Sequence, residues 1–192
     1  MEMSEGKDLC AFCRTPPARS REEQIKRLHK LMDKGNAIAF GSLGACYFNG
    51  THGLPQDWTK ANDLFLKAGE LGCAESHYNL GNSYREGRGI EVDMKKAKYY
   101  YELAAMKGNL QARVNVGSAE GKAGNHHRAM KHFMISAKAG HEEALDGVKK
   151  GFLKGLVTKD EYASTLRAYQ KIQDEMKSNA REKAEASGMY RN

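Results

Sequence analysis

No apolar run in the 192-residue chain approaches the ~18 residues that a bilayer-spanning helix requires. The polar start MEMSEGKDLC also lacks the apolar stretch of a secretory signal. The expected compartment is therefore cytoplasm or nucleus, with no membrane partner. Cysteine is scarce: four residues without a signal argue for reduced thiols or metal ligands, not a disulfide framework. An arginine-rich block is missing as well. The net charge is +7, yet Lys and Arg are interleaved with Asp and Glu, as in REEQIKRLHK and QDEMKSNAREKAEA, which is the pattern of solvated helix faces. Charge alone licenses weak, nonspecific attraction, so no nucleic-acid partner is expected.

Catalytic signatures are equally wanting. No two of His126, His127 and His132 stand at the i, i+4 spacing that puts two metal ligands on one helix face, and they read as exposed helix residues. The two glycines of EGRGIE belong to a repeated turn, not to a phosphate-binding strand–loop–helix unit. No nucleophile, base and orienting acid can be assembled, so the chain is expected to be non-enzymatic and without a cofactor.

What the sequence does contain is a repeat. HYNLGNSYREGRG echoes FGSLGACYFNGTHG, with Leu80, Gly81 and Tyr84 standing where Leu43, Gly44 and Tyr47 stand 37 residues earlier. Ala61, Ala97, Ala129 and Ala163 recur at spacings of 36, 32 and 34, and Gly35, Gly72, Gly108 and Gly140 keep similar intervals. Two independent markers thus share one period. The third unit, with Gly117 and Ala129, lacks four residues of the mid-unit loop. In each of the first two units the Leu, Gly and Tyr fall at i, i+1 and i+4, on one helical face, with Gly44 and Gly81 as gaps for a neighbouring helix. Glycines such as Gly87 and Gly89 then turn the chain. Asp57 and Asp93 precede the next helical pattern and are expected to cap it. A helix pair of this kind cannot bury its own apolar face and completes its core by stacking.

These residues carry a resemblance. Ala-x-x-x-Leu-Gly-x-x-Tyr, then Gly-x-Gly, Asp, Lys-Ala and Ala-Ala-x-x-Gly resembles the Sel-1-like repeat, a relative of the tetratricopeptide repeat. The resemblance implies an all-α fold, an α-solenoid of antiparallel helix pairs, acting as a monomeric scaffold or adaptor for a protein or extended peptide bound in a concave groove. On this reading residues 1–19 form a disordered tail and 20–34 an amino-terminal capping helix opened by the Ser20-x-x-Glu23 capping box. Residues 35–177 form the repeat domain, with a degenerate closing unit and a long last helix opened by Thr158-x-x-Glu161. Residues 178–192, where apolar side chains run out, form a frayed tail.

Cys10-Ala11-Phe12-Cys13-Arg14 has half of a zinc site, two thiolates at ligand spacing. It also resembles the final Cys-x-x-Cys-Arg of a RING finger, although Ala11 replaces the usual proline and the upstream ligands are missing. That resemblance implies the alternative of a truncated ubiquitin-ligase-related protein whose repeats recruit the client for degradation. Cys46 and Cys73 read as small core residues. Candidate partner-binding residues are Asn79 and Asn115, equivalent positions 36 residues apart, with Asn82 and Arg113 beside them. An amide donates and accepts at once, which suits an extended main chain, and Arg113 could pair with an acidic group.

Because only Cys10 and Cys13 have ligand spacing, the isolated chain should hold no structural zinc unless ligands come from elsewhere. Elemental analysis of purified protein checks this, and about one zinc per chain, not shared between two chains, would contradict it.

Overall fold

A computed structural model describes residues 20–186, and among these every regular element is an α-helix. They divide after Val92 into two compact units, so the division falls inside the second sequence repeat. The first unit contains α1 (Arg21–Met32), α2 (Ala37–Asn49), α3 (Trp58–Glu70) and α4 (Ala74–Glu86). The second contains α5 (Met94–Met106), α6 (Leu110–Lys122), α7 (His126–Lys138), α8 (Glu142–Leu153) and α9 (Lys159–Ala186). Within each unit every helix packs on the next in sequence, and α7 also packs on α9. The fold class is all-α, helix pairs of the solenoid type.

The helix starts are set by short polar side chains. Ser20, Asn36, Asp57, Asp93 and Asn109 each accept a hydrogen bond from a backbone amide of the first helical turn, removing one otherwise orphaned donor. His141 does the same for α8: its Nδ1 accepts from the Ala144 amide at 3.3 Å. With Nδ1 an acceptor, the neutral ring carries its proton on Nε2, which donates to Gln111 Oε1 at 2.8 Å. At α9 the cap is reciprocal, since Glu161 N–H donates to Thr158 Oγ1 while the Thr158 amide donates to Glu161. The period-marking Gly35, Gly72, Gly108 and Gly140 all have positive φ, where a side chain is disfavoured.

In the first unit α3 buries Ala61, Asn62, Phe65, Ala68 and Gly69, the i, i+1, i+4, i+7, i+8 stripe of an amphipathic helix. Phe65 is 1% exposed, and burial of such a side chain contributes roughly 1.5–3 kcal/mol. It lies against Gly44 of α2, where an added Cβ would stand 2.8 Å from the ring, and Leu43 is buried beside it. Tyr47 is half-buried under the Lys60 ammonium, 4.2 Å from its ring centre. Leu80 and Gly81 of α4 are buried and Tyr84 is half-buried. In the second unit Ala129, Met130, Ala137, Ala144, Val148 and Val157 form the core with Phe133 and Phe152 packed on it, and Phe152 stacks on Tyr162 at 4.9 Å. Gly117 admits His132 and Phe133, whose atoms would stand 3.1 and 3.2 Å from a Cβ there. The markers Ala61, Ala97 and Ala129 are at most 1% exposed, whereas Ala163 is only half-buried.

Helix α9 continues past Ser178 to Ala186, although apolar residues end near Met176. Ala, Arg, Glu and Lys are strong helix formers, so loss of the apolar stripe does not by itself end a helix. Residues 187–192 lie outside the described residues.

The Gly87-Arg88-Gly89 turn after α4 docks on the start of α3. Asn62 Nδ2 donates to the Arg88 carbonyl at 2.8 Å, and a Cβ on Gly89 would meet the Trp58 and Thr59 backbone at 2.6 Å. Gly53, also at positive φ, has open space around it. Gly89→Ala should therefore cost about 1–3 kcal/mol more than Gly53→Ala, because both carry the conformational penalty but only one collides with backbone. Urea denaturation midpoints compare the two, and equal losses would mean that the docking contact contributes nothing.

Candidate functional site

Asn79 stands on α4 after Ser76 and His77, which are buried, and just before buried Leu80 and Gly81. It is half-buried, and Asn82 lies one turn further on, at the i+3 position of the same face. In the second unit Asn115 is half-buried on α6 between buried Val114 and Val116. Among the described residues, neither the Asn79 nor the Asn115 side-chain amide has a hydrogen-bond partner. The neighbouring polar groups of α6 are already engaged. Arg113 donates from its guanidinium to the Ala105 carbonyl at 2.6 Å, holding the last turn of α5, and Gln111 accepts from His141. Two residues apart on a helix, Arg113 and Asn115 do not share a face. The structure thus separates a pair that the sequence lists together.

Sequence reasoning missed Glu120. It occupies the repeat position of Tyr47 and Tyr84, three residues after Gly117, and its side chain is 1% exposed. A buried carboxylate is tolerated only when paired and hydrogen-bonded. Lys98 Nζ donates to it at 2.7 Å and Asn125 Nδ2 at 2.8 Å, with Arg128 Nε at 3.8 Å. The Lys98 hydrogen bond, followed by that from Asn125, holds the Glu120 carboxyl below the usual carboxylate range. The same hydrogen bond raises the Lys98 ammonium above its ordinary value. Asn125 lies in the shortened turn between α6 and α7, so the pair also fastens the loop that lost four residues. The legible signal was the exchange of an aromatic for an acid at a position whose equivalents face a neighbour.

His126 and His127 are exposed, but His132 is half-buried against Gly117 and its buried Nδ1 has no hydrogen-bond partner among the described residues. Burial, then the positive charge of Arg113, lowers its pKa, favouring the neutral ring. This corrects the reading of His132 as an exposed helix residue: it follows Ala129 by three positions, on the side of α7 that meets α6. Cys46 is buried, with Sγ 3.5 Å from His52 Nδ1, and Cys73 is half-buried at the start of α4. Among the described residues no three His, Cys, Asp or Glu side chains gather as a metal site, and no helix is long and apolar enough to cross a membrane. Cys10, Cys13 and the rest of residues 1–19 lie outside the described residues.

Helix pairs of one period and a surface carrying unspent amides define a helical-repeat protein. Residues 42–73 and 74–109 match the Sel1 repeat. The chain is 31% identical over 143 residues to the ERAD-associated E3 ubiquitin-protein ligase component HRD3B of Arabidopsis thaliana, an alignment covering 71% of this chain and 24% of that protein. It is 30% identical over 123 residues to chitin synthase regulatory factor 4 of Schizosaccharomyces pombe, covering 64% and 19% of the two chains. It therefore spans about a quarter or less of the length of these relatives. Among solved structures, a Sel1 repeat protein from Oxalobacter formigenes superposes with a TM-score of 0.67 at 24% identity, covering 79% of this chain and 64% of the other. A protective antigen of uropathogenic Escherichia coli with the SLR fold gives 0.66 at 30% identity, covering 79% and 33%.

The Glu120 pair predicts a pH signature. A carboxyl whose folded pKa is depressed contributes stability above its unfolded value, ~4.3, and loses it as pH falls through the folded value. Glu120→Gln should lower the melting temperature at pH 7 and flatten the acid limb of stability against pH below ~4.3. Lys98, with its folded pKa raised, should lose its contribution only as pH climbs through that raised value. Thermal melts across pH measure both, and an unchanged acid limb in Glu120→Gln would remove the pair from the stability balance.

Proposed function

We propose that the chain is a protein-interaction scaffold that binds a partner protein or extended peptide through the first helices of its repeats, with Asn79 and Asn82 in the first unit and Asn115 in the second as contacts. The observation that carries this reading is the pair of unspent, half-buried amides at equivalent repeat positions, beside polar neighbours that are already engaged. A half-exposed amide with no internal partner can hydrogen-bond an incoming main chain in both directions. Arg113 contributes to the surface only as far as its bond to Ala105 allows. Sel1 repeats serve protein interaction in general, which supports the class. The site involves no catalysis.

A second reading draws on the likeness to HRD3B, which is named as a component of an E3 ubiquitin-protein ligase. On that reading the repeats recruit a client for a ligase. The half-site at Cys10 and Cys13 would belong to a zinc module completed by ligands from elsewhere.

Replacing Asn79 and Asn115 by Ala tests the first reading. Affinity purification of the double variant should lose a partner that the parent chain recovers, with the melting temperature unchanged. Full recovery together with a lowered melting temperature would assign both amides to the packing of their own helices. Co-purification of ubiquitin-ligase subunits with the parent chain would favour the second reading.

A further inference from the structure

Charge is unevenly placed along the chain. Residues 1–92 hold 12 Lys or Arg and 12 Asp or Glu, whereas residues 93–192 hold 19 and 12, so the whole net charge of +7 lies in the second unit. Within it, residues 103–141 contain six Lys or Arg and a single acid, Glu120. That acid is buried and held by Lys98 and Asn125, so it presents no negative charge to solvent. The interleaving of signs found elsewhere is lost over α6 and α7.

Helix α7 concentrates the excess. It has no Asp or Glu, and its inner side sends Ala129, Met130 and Ala137 into the core. On its outer side Arg128, Lys131, Ile135 and Lys138 follow at i, i+3, i+7 and i+10, a single stripe. All four are exposed, the Arg128 side chain by 70% and Ile135 by 49%. Lys131 and Lys138 form no salt bridge among the described residues. A further acid that feels Lys131 is Glu161 at the start of α9, whose carboxylate already accepts from the amide and hydroxyl of Thr158. Its lowered pKa has those hydrogen bonds as the main cause, with smaller contributions from His127 and Lys131.

We propose that this stripe docks an acidic polypeptide segment carrying an apolar residue between its carboxylates, with Lys131 and Lys138 paired to the acids, Ile135 against the apolar side chain, and Arg128, already 3.8 Å from Glu120, at the edge of the stripe. The inference rests on the scaffold reading and names the chemical class of partner. Cations such as Lys131 and Lys138, which form no salt bridge among the described residues, steer an anionic partner and make its binding sensitive to salt. An exposed isoleucine among them offers a contact that an aliphatic side chain can use and a phosphate backbone cannot. Base stacking is best served by an exposed phenyl, phenol or indole ring, and Phe133, the one such ring of α7, packs against the core, leaving only the imidazoles of His126 and His127 exposed.

Fluorescence anisotropy on the full 192-residue chain tests this with three labelled probes: a peptide of glutamates with one leucine per turn, its lysine counterpart, and single-stranded poly(U). The glutamate peptide should bind, and more weakly as salt is raised. Lys131→Glu with Lys138→Glu should weaken it by about tenfold or more at an unchanged melting temperature. Lys131→Gln with Lys138→Gln should give a smaller loss in the same direction without adding repulsion. Lys26→Glu with Lys30→Glu on α1, an equal change in net charge, should leave binding within about twofold. No binding of the glutamate peptide, equal losses in the α1 and α7 charge reversals, or tighter binding of poly(U) lost in the α7 variants would each overturn the proposal. Should the peptide fail while the Asn79 and Asn115 variants still lose a partner, the acidic class alone falls and the scaffold reading stands.

Discussion

Close approach between neighbouring helices, at positions restricted to glycine or alanine, is the constraint on which this structure depends. Gly44 takes the face of Phe65, Gly117 takes His132 and Phe133, and Ala61, Ala97 and Ala129 are sealed within their contacts. A helix pair of this size has too little apolar surface to stand alone, so each gap has to be filled by a side chain from an adjacent helix. The same restriction governs the turns, where backbone meets backbone at Gly89 with no room for a side chain.

The third repeat departs from this plan and meets the difficulty with charge. Its loop is shorter by four residues, and a carboxylate stands where the first two repeats have a tyrosine. Desolvating Glu120 is costly, and the cost is offset because Lys98 and Asn125 both donate to it. One of those donors comes from α5 and the other from the shortened turn. The buried pair therefore ties three segments together where the earlier repeats use an aromatic ring.

Packing leaves the surface to carry function. Polar side chains that cap helices or bridge turns, such as Arg113, Gln111, His141 and Asn62, are committed to holding the backbone. Asn79 and Asn115 are not, and neither are Lys131 and Lys138 of α7. Recognition in a repeat protein of this kind falls to the side chains that its own packing does not use.

The sequence by itself determined the fold class, the period, the helix pairs and most of their caps. These follow from local rules: small residues at fixed intervals, glycines where φ is positive, and Ser, Thr, Asp or Asn before a helix. Helix propensity, not hydrophobic spacing, carries α9 past Ser178. For the candidate site, the equivalence of Asn79 and Asn115 was legible, whereas the commitment of Arg113 to Ala105 was not. Nor was the burial of Glu120 and His132. Only tertiary structure decides these, because hydrogen-bond partners and solvent exposure depend on which side chains from distant segments meet, and no spacing along one helix encodes that.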